Sequence, residues 1–217
     1  VEWAAKADST DGYFQLPIVQ PRLPVEDKVV RPERTGAPDP VMMSILDSTM
    51  VSICREMGIL LMKTSYSTIF NEGLDFTCAL ADAKGDMIAC AEFCPTMIGG
   101  MPLLIKTCAQ EIPFETLEEG DIVLHNDPYR GGTHLPDLTV IAPVFVDDDE
   151  EGDGGPVCWV ANRGHHADIG GRTPGSMPPD SQTLAEEGVL FSGECIVADG
   201  ELLEAAIRER LAAGQIG

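Results

Sequence analysis

Residues 1–39 repeat their apolar positions with a period of neither about 3.6 nor about 2, and they carry Pro17, Pro21, Pro24, Pro32 and Pro38. They read as an extended arm or linker. Asp39-Pro40 then places a capping acceptor before a proline at the first helical position, which satisfies or removes the orphan amides of a helix start. Met42, Ile45, Leu46, Met50, Ile53, Met57, Leu60 and Leu61 follow at intervals of three or four. That spacing predicts a helix whose apolar stripe faces a core or a partner subunit.

Beyond this helix the pattern shortens. Leu74 to Ala81 and Met87 to Ala91 are apolar runs around Asp82-Ala83-Lys84-Gly85-Asp86, a hairpin with glycine at its turn. Pro102 to Ile112 predicts a helix. Ile122 to Leu124, Leu138 to Val146 and Val157 to Ala161 predict strands, with the acidic stretch Asp147 to Gly155 as an exposed hairpin loop. Residues 164–181 are a long Gly/Pro/Ser loop, a length that is often functional. A strand near Val189 to Val197 and an amphipathic helix from Glu201 to Ala213 complete the pattern. The expected class is α+β, a largely antiparallel sheet with flanking helices, preceded by an extended Pro-rich arm. The division is an arm over 1–39 and a folded domain over 40–217.

Composition narrows the partners. The formal charge of −22 excludes nucleic acid and anionic membrane as natural partners, because both need compensating Lys and Arg. No apolar run approaches the roughly 18 residues of a membrane span, and no charged-then-apolar leader opens the chain. Seven cysteines, an odd number without paired C-x-x-C spacing, suit small thiols in a reducing cytoplasm, the expected location. The first residue is Val1 rather than Met, so the start is expected to be processed or cut.

All four histidines fall between positions 125 and 166. They lie in His125-Asn126-Asp127-Pro128-Tyr129-Arg130-Gly131-Gly132, in Thr133-His134-Leu135-Pro136-Asp137 and in Arg163-Gly164-His165-His166-Ala167-Asp168, each where a predicted strand gives way to loop. His134 and Asp137 are three residues apart with Pro136 stiffening the backbone between them. If the strand ending at His165 pairs with Leu138 to Val146, His165 arrives near His134. Two imidazoles with one or two carboxylates make a borderline N/O site suited to Mn²⁺, Fe²⁺ or Zn²⁺. Asn126 and Asp127 are expected to fix a turn before Pro128. No phosphate-binding G-x-x-x-x-G-K-[ST] occurs, so ATP handling belongs elsewhere.

The strings from His125 to Asp137, from His165 to Gly171 and Thr173-Pro174-Gly175-Ser176-Met177-Pro178-Pro179 together resemble the hydantoinase B/oxoprolinase family, in its amino-terminal portion. The resemblance implies a divalent metal (Mn, Zn or Fe) held by Asp75, His134, Asp137 and His165. From the residues alone, Asp75 reads as a turn or capping carboxylate. The resemblance further implies a hydantoinase A-type ATP-binding partner subunit, with further subunits in some members, and a small-molecule substrate. It points to a B-type subunit of an ATP-dependent cyclic-amide hydrolase. The alternatives are a subunit of a ketone carboxylase of the acetone/acetophenone type, or a non-catalytic assembly subunit. Within such a site His166 and Asp168 are candidates for proton transfer, and Arg130 and Arg163 for holding an anionic group of the substrate.

Overall fold

The computed structural model describes residues 39–112, 116–146, 155–198 and 200–212. The expected arm, except Asp39, and the acidic loop, except Gly155, lie outside them. Helix α1 spans Pro40–Thr64 and starts as its sequence predicts: the Asp39 carboxylate accepts from the Val41 N–H at 3.0 Å, and Pro40 occupies the first turn. Its expected stripe packs only in part. Met50, Val51, Met57, Leu61 and Met62 close around buried Cys54, whereas Met42, Ile45, Leu46, Ile53 and Leu60 are exposed. The packed line runs through Gly58, where a Cβ would lie 2.0 Å from the Phe93 ring, so the absent side chain turns the contact face toward Phe93.

Seven strands form one sheet in the order β2-β1-β5-β4-β3-β6-β7, and each neighbouring pair is antiparallel. They are β1 (Phe76–Asp82), β2 (Met87–Cys90), β3 (Ile122–His125), β4 (Asp137–Val144), β5 (Cys158–His165), β6 (Ser192–Ala198) and β7 (Glu201–Leu202). Both faces of β1 are covered, which is why its run is apolar without alternation. One face carries Phe76, Cys78 and Leu80 against α1. The other carries Ala79, Ala81, Ala161, Trp159 and Ile141 against α3 (Pro95–Glu111), which contributes Met101, Leu104, Ile105 and Cys108. Each large apolar side chain fully buried here adds roughly 1.5–3 kcal/mol.

Helix α3 begins at Pro95, earlier than the expected start at Pro102, and Pro102 lies inside it. The apolar face supplied by Met101, Leu104, Ile105 and Cys108 offsets the one backbone hydrogen bond that an interior proline removes. Two short helices were not foreseen, α2 (Thr68–Asn71) and α4 (Leu184–Glu187), the latter closed by a capping box between Thr183 and Glu186. The last helix, α5 (Glu204–Ala212), follows β7 rather than beginning at Glu201. A third apolar cluster of Leu124, Leu135, Ile169, Val189 and Phe191 packs the long loop beneath β3 and β4, on the face away from α3. No helix among the described residues is long and apolar enough to cross a membrane.

Candidate metal centre

Strand register builds the site. Asp137 at the start of β4 pairs directly with His165 at the end of β5. The His165 N–H donates to the Asp75 carbonyl at 3.0 Å, continuing the β1–β5 register in which Phe76 faces Gly164. Directly opposed residues share a face, so His165 and Asp137 lie together on the α3 side of the sheet, with the backbone of Asp75 beside His165. Leu74, just before Asp75, takes a left-handed conformation with φ 52°, uncommon for a leucine.

His134 joins His165 and Asp137 from the preceding loop. Its Nδ1 lies 2.7 Å from Asp137 Oδ2, and His165 Nδ1 lies 3.0 Å from Asp137 Oδ1, with the two rings stacked 5.0 Å apart. Thr133 Oγ1 donates to the same Oδ2. One ligand atom from each of His134, Asp137 and His165 lies within 4.8 Å of the others. Asp75 stands outside that trio but close enough for its charge to favour the protonated His134 ring. Burial raises the Asp137 carboxyl, yet hydrogen bonds from His134 and Thr133, with help from His165, outweigh it and hold the group below its ordinary value. The same bond, donated by the His134 ring to Asp137, raises His134 above its ordinary value. The two nitrogens and the carboxylate oxygens form a donor set that suits a borderline divalent cation.

The other expected residues divide. His166 is half-buried, its ring edge-on to Phe70 at 5.5 Å and its Nδ1 3.2 Å from the Gly164 carbonyl. Burial pushes it down, so it is neutral at neutral pH. Asp168, expected to transfer protons, is instead committed to its own loop: its oxygens accept from the Gly170 and Gly175 N–H groups and from Ser176 Oγ, which also lowers its pKa. Arg130 is at the surface, paired with Glu111 and 3.3 Å from Ser192 Oγ.

Arg163, expected to hold substrate, is 0% exposed and spends its donors inside the fold. Nε donates to Thr139 Oγ1 at 2.9 Å, Nη1 to the Met97 carbonyl at 3.2 Å and Nη2 to the Gly131 carbonyl at 2.9 Å. Burial lowers it to about 10. Its function is positional, because Gly131 begins the loop that carries Thr133 and His134. Gly100 makes room: a Cβ there would lie 3.0 Å from Nη1 and 2.8 Å from the Gly131 oxygen. The sequence signal for this close approach is Gly100 alone, since Gly99 beside it meets nothing within 4 Å.

Of the two residues before Pro128, Asn126 carries more than the sequence suggested. Asp127 caps the 3₁₀ turn Pro128–Arg130 through Tyr129 N at 2.9 Å, as expected of a turn former. Asn126 is fully buried and ties three segments together. Its amide donates to Leu135 O at 2.8 Å and Val189 O at 2.9 Å, and its oxygen accepts from Phe191 N at 2.7 Å.

Comparison with known proteins places the chain in a family. Residues 39–215 match hydantoinase B/oxoprolinase. The chain is 43% identical over 171 residues to the 5-oxoprolinase of Dictyostelium discoideum, covering 79% of this chain and 13% of that protein. It is 44% identical over 170 residues to the 5-oxoprolinase of Saccharomyces cerevisiae, covering 78% of this chain and 13% of the relative. The chain thus spans about an eighth of these relatives' length. Among solved structures, the ATP-dependent caprolactamase from Pseudomonas jessenii superposes with a TM-score of 0.72 at 30% identity, over 83% of this chain and 30% of that one. With its match extending from the first helix to the last, the chain belongs to the hydantoinase B/oxoprolinase family.

Proposed function

We propose that the chain forms the metal-binding part of a B-type subunit of an ATP-dependent cyclic-amide hydrolase. The observation that carries this reading is the buried Asp137 carboxylate gripped between the His134 and His165 imidazoles where two central strands meet the loops. His134, Asp137 and His165 would hold the cation, with Asp75 from the adjoining strand as fourth ligand. A bound divalent ion supplies Lewis acidity toward a carbonyl oxygen or activates water. The relatives named 5-oxoprolinase and ATP-dependent caprolactamase support a cyclic amide as substrate and ATP as co-substrate.

The residues around the trio have separate tasks. Thr133 fixes the orientation of Asp137, and Arg163 fixes the loop bearing Thr133. His166 is the proton acceptor: with hydrogen on Nδ1 facing Gly164 O, its Nε2 keeps a lone pair. Arg130 faces solvent and is free to trade Glu111 for an anionic group of the substrate. The chain has no phosphate-binding glycine loop, so ATP is handled by a hydantoinase A-type partner. A reducing cytoplasm suits its free cysteines.

The test is co-purification of the complex followed by metal analysis and ATP-turnover assays. Stoichiometric divalent metal, lost in His134→Ala, and ATP turnover that depends on a cyclic amide are expected. Turnover that requires a ketone and bicarbonate would assign the complex to carboxylation instead. Metal retained in full by His134→Ala would remove the proposed site.

A further inference from the structure

The candidate metal centre is closed on the sheet side and open at His134. Asp137 and His165 keep 3% and 13% of their side-chain surface exposed, whereas His134 keeps 37%. Two carboxylates outside the trio act on the His134 ring through their charge, Asp75 and Glu187. Asp75 precedes β1, and Glu187 is the last residue of α4, far along the chain from the other members.

Backbone contacts hold Glu187 beside the site. The buried Asn126 amide donates both to the Leu135 carbonyl at 2.8 Å and to the Val189 carbonyl at 2.9 Å. One side chain thereby ties the residue after His134 to the residue two beyond Glu187. Leu135, Ile169 and Val189 share an apolar cluster, and Leu184 at the start of α4 packs against it. The end of α4 is also pressed onto the loop that follows His166. Arg172 N donates to the Glu186 carbonyl at 2.7 Å and Val189 N to the Ile169 carbonyl at 2.9 Å. A Cβ on Gly171 would lie 2.7 Å from the Glu187 carbonyl oxygen, and one on Gly188 would lie 2.4 Å from the Ile169 side chain.

The two glutamates of α4 differ in their commitments. Glu186 accepts from the Gln182 and Thr183 N–H groups and closes the capping box. Glu187 takes no part in the cap. Its Oε1 accepts from Ser181 Oγ at 2.5 Å, and among the described residues nothing donates to its Oε2. An acid at the end of a helix opposes the negative pole there, so α4 itself gains nothing from this charge.

We propose that Glu187 is a further carboxylate of the metal centre, reaching the cation from the end of α4 beside His134. This rests on the metal reading of His134, Asp137 and His165 and adds to it. With Asp75 and Glu187 the donors become two imidazoles and three carboxylates. That is one side chain more than a tetrahedral zinc site takes, and the added oxygen favours Mn²⁺.

Competition titrations of Mn²⁺ and of Zn²⁺ against a chelator, run on the full chain and on Glu187→Gln, test this. Glutamine has the same shape and its carbonyl still accepts from Ser181, so the charge alone is removed. Glu187→Gln is expected to bind Mn²⁺ about 10–100-fold more weakly and to lose less affinity for Zn²⁺, at an unchanged melting temperature. Glu186→Gln, which loosens the cap of α4, should melt earlier and keep the wild-type affinity for both ions. Equal Mn²⁺ affinity in wild type and Glu187→Gln would overturn the proposal alone, as would an equal loss in Glu186→Gln, which would reduce Glu187 to a support of α4. Wild type that binds neither ion would remove the metal reading and this proposal together.

Discussion

Arg163 on β5 and Gly131 in the loop after the 3₁₀ turn are joined by a 2.9 Å hydrogen bond from Nη2 to the glycine carbonyl. This contact fastens the segment bearing Thr133 and His134 to the centre of the sheet. Arg163→Met would leave the Gly131 and Met97 carbonyls unpaired in the interior and should cost about 3 kcal/mol or more. Arg163→Lys should recover little, since a single ammonium cannot reproduce the planar fork that spans Thr139, Met97 and Gly131. Urea denaturation of the two variants checks this, and wild-type stability in the lysine form would contradict the assigned role.

Thr133→Val removes the donor to Asp137 Oδ2 without touching a ligand atom. Loss of an orienting hydrogen bond of this kind usually weakens metal binding by about 10–100-fold. Asp137→Asn, which removes the shared anion itself, should weaken it further. Competition titrations against a chelator give both values. An unaltered affinity in Thr133→Val would mean that the carboxylate is oriented by the histidines alone.

The metal-free protein should show a stability window set by the His134–Asp137 pair. Asp137 is lowered below its ordinary 3.8, so its contribution is complete above that value and is lost as pH falls through the depressed one. His134 is raised above its ordinary 6.5, so its contribution is complete below that value and is lost as pH rises through the elevated one. The pair therefore stabilises most between 3.8 and 6.5. Denaturation midpoints of chelated wild type at about pH 5 and about pH 8 should differ by more than those of His134→Ala. Added metal should reverse the trend, because protons compete with the cation for the same atoms.

Two glycines offer a paired test of backbone demand. Gly131 has φ 92° and a Cβ there would lie 2.3 Å from the Leu104 amide nitrogen, so Gly131→Ala should cost at least about 1–2 kcal/mol. Gly99 lies within α3 with nothing within 4 Å of a Cβ, so Gly99→Ala should stabilise by about 0.5–1 kcal/mol. Thermal melts of the two variants should move in opposite directions.

Much of this site was legible before any coordinates. In the sequence, pairing of the strand that ends at His165 with Leu138 to Val146 stood as a condition, and β4 does pair with β5. That was enough to bring His134, Asp137 and His165 together. The fates of Arg163 and Asp168 could not be read the same way. An arginine next to a histidine pair looks like a substrate clamp until its acceptors are known, and those acceptors, Met97 and Gly131, are carbonyls that no side-chain pattern reveals. Asp168 is bound by backbone amides of the loop it sits in, Gly170 and Gly175. His125 looked like one more member of a cluster, yet at the end of β3 it is buried apart from the His134, Asp137 and His165 trio.

The pairing of Asp137 with His165 has a consequence for assembly that comes from the geometry of β-sheets. Side chains alternate faces with a period of two, so a slip of one residue between β4 and β5 would send Asp137 or His165 to the opposite surface. No partial version of the trio can exist: either the two strands are in step or the ligand atoms diverge. An ion bound there would act as a proofreader of the hydrogen-bonded ladder, rewarding the correct alignment of segments 28 residues apart and ignoring every near miss.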